Sequence, residues 1–402
     1  MKKYISIIFL LLSFTVFSQS LEDYVQLALK KNPSIKASYE EINIAKEKIS
    51  EVGSWKDTGI SFGLYPLRPE TRVGSQAYNL GLSQDFPWFG TYVQAKKVQK
   101  SKVKLKDLDL RLRQKNIRYK VAEVYYKLYQ LQSTIGMLNQ NKSILKVYEK
   151  MALGALENNR ARMSDILRIR AEKNAIDAQI EQYQRNLETF KHVFNRLLNR
   201  EINTKIKIPA FLEVNTITSI TQNVEKHPSL EKIKQLKSIY REEKKLINKQ
   251  SKPKIRLGTN YLPVIPRTDA IPVDNGKDVW MINIGLKIPL FNKKYRSQLK
   301  QTDLKIKQIN FKQQNDFLQL QSAAEQANTD LGNALIAKKT AQKNIKDIQT
   351  AVNADLKAYE TGLLDYDRIL RLQLQKIKFE LQDIQATTQA FISLEKIKYL
   401  TE

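Results

Sequence analysis

Cysteine is absent from the 402 residues. That excludes disulfides, thiolate metal sites and a lipid anchor on an N-terminal cysteine. Histidine occurs only as His192 and His227, too few for a multi-histidine zinc centre. Nothing around either suggests nucleophilic catalysis, and His227-Pro228 reads as a helix start. Turn-forming residues are scarce, with 13 Gly and 11 Pro, which argues against a set of ordinary globular domains. Five methionines, Met1 included, make no methionine relay. No Walker, dinucleotide-binding or HExxH motif occurs. We therefore expect no enzyme activity, cofactor or metal ligand set. Beyond the N-terminus no run approaches the roughly 20 apolar residues of a membrane helix. A membrane-spanning form of this chain must then be a closed β-barrel.

What is present begins with a leader. Lys2 and Lys3 precede an uncharged stretch, Tyr4 to Phe17, too short to cross a bilayer. Val16 and Ser18 satisfy the small-residue cleavage rule, so residues 1–18 are expected to be a signal peptide. The remainder divides into two repeats, 19–208 and 209–402. Each opens on a proline signal, Asn32-Pro33-Ser34 within a helix from Leu21 to Val52, and His227-Pro228-Ser229 before a helix to Gln250. Pro87 and Pro289, and Leu167 and Leu370, recur at similar spacing, roughly 200 residues. The stretch Ile206–Phe211, with Pro209, is the expected junction.

Long helices supply most of the mass. Val121, Val124, Leu128, Leu131, Ile135 and Leu138 follow a 3-4 spacing, continued by Leu145, Tyr148 and Ala152. In the second repeat Leu320, Ala324, Ala327, Leu331, Ala334 and Ala341 do the same, followed by Ile345, Ile348 and Val352. This is coiled-coil periodicity. A rod or spacer would explain these helices but not the strands.

Four runs alternate with period two, within hairpins at about 57–86 and 254–289. In the last, Trp280, Ile282, Ile284, Leu286 and Ile288 share one face, and Met281, Asn283, Gly285 and Lys287 the other. Ile60, Phe62 and Leu64, then Tyr78, Leu80 and Leu82, then Leu257, Thr259 and Tyr261 repeat the pattern against polar, Gly-rich faces. This fits a lipid-facing exterior and wet lumen, and also a half-buried hairpin. Four strands cannot close a membrane barrel, for which about eight is the minimum. The membrane reading therefore requires an oligomer.

Each hairpin ends in proline and aromatics: Pro87, Trp88, Phe89 and Gly90, then Pro289, Leu290 and Phe291. With Tyr92 and Tyr295 they suit an interfacial aromatic belt. At the far helix ends, Asn159 and Gly362 mark matched turns that tolerate a left-handed backbone. The returning helices carry Asp165 and Arg168, then Asp367, Arg368 and Arg371, with Asp365 beside them. These six charged residues are the candidate gate.

Together these features resemble the TolC family of outer-membrane efflux proteins over nearly the whole chain after the leader. The resemblance rests on the duplicated NP and HP helix starts, the strand–proline–aromatic–helix units and the paired tips. The stretch from Tyr359 to Gly362, followed by Asp367-Arg368-Ile369-Leu370, is its most characteristic part. The stretch Gln84–Gly90 is similar to the heavy-metal and cation efflux branch. The resemblance implies a mainly α fold with a membrane β-barrel: a homotrimer with a twelve-stranded barrel and a periplasmic α-helical barrel of twelve helices. It implies a location in the outer membrane of a Gram-negative bacterium, with a long periplasmic extension. The expected partners are outer-membrane lipid, a periplasmic adaptor and an inner-membrane pump. The resemblance also implies acidic rings at the second tip. Here basic Arg368 and Arg371 occupy two such positions, while Asp165 holds the first-half equivalent.

The expected function is a passive exit duct for metal cations or drugs. Type I protein secretion is the alternative of the same class. A periplasmic structural or adaptor coiled-coil protein is the alternative of another class, and an adaptor's lipoyl-like β-domain is not found. The basic balance, formally +27, raises nucleic-acid binding, but the leader and strand pairs oppose it.

Overall fold

The computed structural model describes residues 20–158, 160–213, 223–360 and 366–401. The expected leader, residues 1–18, and three of the candidate tip residues, Asn159, Gly362 and Asp365, lie outside them. The elements are α1 (Leu21–Lys31), α2 (Pro33–Glu51), β1 (Gly59–Leu64), β2 (Glu70–Thr71), β3 (Gly74–Gln76), β4 (Tyr78–Phe86), α3 (Thr91–Glu157) and α4 (Met163–Leu197). A 3-10 turn at Val224–Lys226 leads to α5 (Pro228–Gln250), β5 (Lys254–Leu262), β6 (Val264–Ile265), β7 (Val279–Lys287), α6 (Lys293–Glu360) and α7 (Tyr366–Thr401).

The two proline signals are the same physical device. The Asn32 side chain accepts from the Ser34 amide at 2.9 Å. The His227 ring accepts from the Ser229 amide at 3.3 Å. Each caps a helix whose first residue is proline, where a missing N–H costs nothing. His227 is buried and serves as that cap.

The chain forms two compact units, neither of which is one of the sequence repeats. One comprises the described residues of Met1–Lys36, Arg113–Asn223 and Ser322–Glu402; the other comprises Ala37–Leu112 and Val224–Gln321. Both α3, of 67 residues, and α6, of 68, contribute to each unit.

The first unit is helical. Its core includes Leu138, Leu145, Tyr148 and Ala152 of α3, Ile166 and Ile169 of α4, and Tyr366, Ile369 and Leu370 of α7. The expected seam of α3 is thus buried at most of its positions. On α6, Ala324, Ala327, Leu331, Ala334, Ala341 and Val352 are buried too. Small residues there let helices approach closely. A second cluster packs Tyr24 of α1 edge-on against Phe194 of α4, with ring centroids 5.1 Å apart.

A polar network crosses the helical core. Gln373 donates to the Asn141 carbonyl oxygen at 2.6 Å, and the Asn141 amide donates to Glu380 at 2.7 Å. Gln373 and Asn141 are 1% and 2% exposed. Their side chains therefore depend on each other. Gln373→Leu strands the Asn141 oxygen and is expected to cost about 1–3 kcal/mol. The check is a lower midpoint in thermal melting of helical circular dichroism; an unchanged midpoint would contradict it.

The second unit carries all the strands among the described residues. Four form an antiparallel sheet in the order β1-β4-β5-β7. The central pairing, β4 with β5, joins one repeat to the other. A small sheet, β2-β3-β6, ties the two hairpin loops together through Ser75 opposite Ile265 and Gln76 opposite Val264.

Candidate functional site

The sheet separates its side chains cleanly. Register aligns Phe62, Leu80, Tyr261 and Trp280 across the four strands, and Ile60, Leu82, Thr259 and Ile282 in the next row. Leu257 faces Ile284, and Ile255 faces Leu286. Strand pleating puts these on one face. That face is uncovered: Ile60 and Ile282 are each 81% exposed and Ile284 is 77% exposed.

The opposite face is polar and closely packed. Gly59, Ser83, Gly258 and Asn283 form one row, and Ser61, Gly81, Asn260 and Met281 the next. A Cβ on Gly81 would meet Ser61 Oγ at 2.4 Å and Asn260 Oδ1 at 2.6 Å, so no larger residue fits without displacement. Arg256 grips Asp85 through two hydrogen bonds, of 2.6 and 3.0 Å, on this face. One face is thus suited to lipid and the other to water.

At the first strand-to-helix junction Gly90 adopts φ +74°, a left-handed turn that favours glycine. The Thr91 amide and hydroxyl both donate to the Trp88 carbonyl, at 3.0 and 2.6 Å, and start α3. Phe89 and Phe291 project outward, 74% and 92% exposed. Trp88, Tyr92 and Tyr295 are only partly exposed and line a cavity together with Pro87. Pro289 follows the last strand, where it cannot donate to a ladder.

The tip charges are sorted by partner. Asp367 accepts from Arg168 of α4 and forms an ion pair with Arg371, one turn along α7, at 2.8 Å. Arg368 reaches back to Asp355 of α6, again at 2.8 Å. Asp165 accepts from the Arg162 amide at 3.1 Å and serves as a cap for α4. The structure thus brings Arg168, Asp367 and Arg371 into one chain of charges and gives Arg368 a separate anchor. Asp355 was not singled out from sequence. Neither was Glu149, which accepts from Lys173 and Arg170; those hydrogen bonds hold its carboxyl below the usual range.

Aromatics surround these charges. Tyr366 packs edge-on against Tyr148 and Tyr359, with centroids 5.8 and 5.7 Å apart. Burial, then the neighbouring tyrosines, pushes the Tyr366 hydroxyl up. Burial, then the charge of Asp165, does the same to Tyr359. No described helix is long and apolar enough to cross a membrane. Among the described residues no cluster of His, Asp or Glu could hold a metal ion.

No protein-family model and no curated protein matches the chain. Solved structures do. The outer membrane protein VceC of Vibrio cholerae matches with a TM-score of 0.77 and 15% sequence identity, over 95% of this chain and 96% of that one. The CmeC outer membrane channel of Campylobacter jejuni gives 0.75 and 14%, over 95% and 85%. The open-state MtrE outer membrane channel of Neisseria gonorrhoeae gives 0.71 and 15%, over 95% and 88%. The chain has the fold of these outer-membrane proteins.

Proposed function

We propose that this protein is the exit duct of a tripartite efflux system in a Gram-negative outer membrane. The observation that carries this reading is the two-faced sheet, with its uncovered apolar face, in a fold shared with outer-membrane channels. A periplasmic rod has no use for such a face. Three copies of four strands give a twelve-stranded barrel, apolar outside and polar within. The long helices continue the path as a periplasmic tunnel, and their tips meet an adaptor coupled to an inner-membrane pump. The duct itself is passive, and energy comes from the pump. Metal cations and drugs are the cargo classes of this reading, and secreted protein is its alternative cargo.

Exposed side chains on the helices support self-association. Leu304, Phe311 and Leu318 of α6 lie seven residues apart and are 54%, 72% and 53% exposed. A heptad stripe left open on one chain is suited to a neighbouring helix. The test combines membrane fractionation with native mass measurement in detergent. We expect outer-membrane recovery and a particle slightly below about 140 kDa, the mass of three 46.6 kDa chains before loss of their leaders. Phe311→Asp should shift the particle toward monomer. A stable wild-type monomer with full β-content would reject the reading.

A further inference from the structure

The partly exposed junction aromatics line a cavity of about 430 Å³. Its wall carries Lys56, Lys249, Lys252, Lys254 and Lys294, and no acidic side chain. Among the described residues none of the five forms an ion pair, although ion pairs are frequent elsewhere on the helices. Lys249 Nζ has only the Phe89 carbonyl, at 3.5 Å. Two more polar groups are enclosed without a described partner, the Tyr92 hydroxyl and the Gln298 side-chain oxygen. The cavity also has an apolar side, formed by Trp88, Pro87 and Leu246.

Lys56 is near enough to Asp85 to be attracted by it, but the other four ammonium groups, gathered without a described counter-charge, repel one another unless an anion joins them. The residues bordering the cavity place it beside the strand ends: Pro87 follows β4, and Lys252 and Lys254 flank the start of β5. We propose that this cavity binds the phosphodiester headgroup of an anionic lipid from the periplasm-facing leaflet. The inference rests on the membrane reading above. Phosphate takes several lysine donors at once, while Trp88 and the tyrosines suit the boundary between headgroup and acyl chain. Site and lipid would thus meet where helix emerges from membrane. Each subunit of an oligomer would carry one such site.

The test uses the full-length assembly in neutral detergent. Phosphatidylglycerol, phosphatidylcholine and inorganic phosphate are added separately, and binding is read by native mass spectrometry and by the melting midpoint. Wild type is expected to retain phosphatidylglycerol at least tenfold better than phosphatidylcholine and to melt higher with it. Inorganic phosphate alone should give neither effect. Lys249→Gln with Lys252→Gln and Lys294→Gln should abolish the preference. A control of equal charge change on α6, Lys343→Gln with Lys346→Gln and Lys357→Gln, should retain it. Equal retention of both lipids, equal loss in the control, or an effect of inorganic phosphate matching that of the lipid would overturn the proposal. Fractionation distinguishes the two failures. Recovery in the outer membrane without headgroup preference rejects the pocket alone, while recovery in the soluble fraction rejects the membrane reading as well.

Discussion

Ile284→Asp is expected to abolish recovery of the assembled protein from the membrane, whereas Asn283→Asp leaves it near wild type. The two positions are adjacent in β7 and receive the same carboxylate. Their surroundings differ. Ile284 is 77% exposed and faces Leu257 on the uncovered apolar side. Asn283 lies opposite Gly258 in the polar row that includes Ser83. If the apolar side meets lipid, an aspartate at 284 forfeits a buried isoleucine and must place a polar group in hydrocarbon. Those effects together cost on the order of 3 kcal/mol per chain. A trimer incurs the cost three times, which is comparable with the whole stability of a typical domain. At 283 the new charge stays in water, beside a face that already carries Asp85 and Arg256. The measurement is the amount of heat-resistant oligomer in outer-membrane fractions at matched expression. Equal recovery of both variants, or the reverse order, would show that the apolar side does not face lipid.

The same alternation made the strands legible in the sequence. Ile282, Ile284 and Leu286 stand on one side and Asn283, Gly285 and Lys287 on the other, and β7 follows that register. The helix seams were equally legible, since Leu128, Leu138 and Leu145 recur at core spacing and are each 0% exposed. The NP and HP signals were legible because capping is local chemistry, completed within two residues. The small sheet β2-β3-β6 was not, because strands of two or three residues carry no period. Nor was the pairing of β4 with β5. It brings together segments from different repeats, and alternation specifies a face but no partner. The cavity at the junction was not legible for a related reason. Trp88 and Tyr92 are amphipathic, so either an exposed belt or a cavity wall satisfies them.

The tip charges were legible as a group but not as pairs. With 68 basic and 41 acidic residues, spacing alone cannot say which carboxylate an arginine meets. Arg368 and Arg371 share a broad helical face by their three-residue separation, yet they hold different acids. Asp355 lies 13 positions before Arg368, on the preceding helix. Such a partner depends on how α6 and α7 pack.

That division predicts unequal effects at the gate. Arg371 is 68% exposed and pairs within its own helix with Asp367. Pairs of that kind contribute roughly 0.3–0.5 kcal/mol. Arg368 is 62% exposed, but its partner Asp355 is only 9% exposed and sits on a different helix. Removing Arg368 leaves a largely buried carboxylate without its ion pair. The cost lies between the roughly 0.2–1 kcal/mol of an exposed pair and the 3–5 kcal/mol of a buried one. Arg168 matters through geometry as well, since its bond to Asp367 joins α4 to α7. If these pairs hold the periplasmic tips closed, three copies of a 1–2 kcal/mol change approach the roughly 5.5 kcal/mol that inverts a 1:99 equilibrium. We therefore expect Arg368→Ser with Arg371→Ser to raise single-channel conductance and weaken selection for anions, with most of the conductance gain already present in Arg368→Ser. Arg371→Ser alone should lose anion selection with little change in conductance. Adding Asp355→Asn to Arg368→Ser should restore part of the closure, because the buried charge is then gone. Planar-bilayer recordings of purified trimers at low and high salt make the comparison. Unchanged conductance in the double variant, with assembly verified, would put these arginines outside the gate. A larger conductance gain from Arg371→Ser than from Arg368→Ser would mean that exposed charge in the pore, and not the tether between α6 and α7, controls passage.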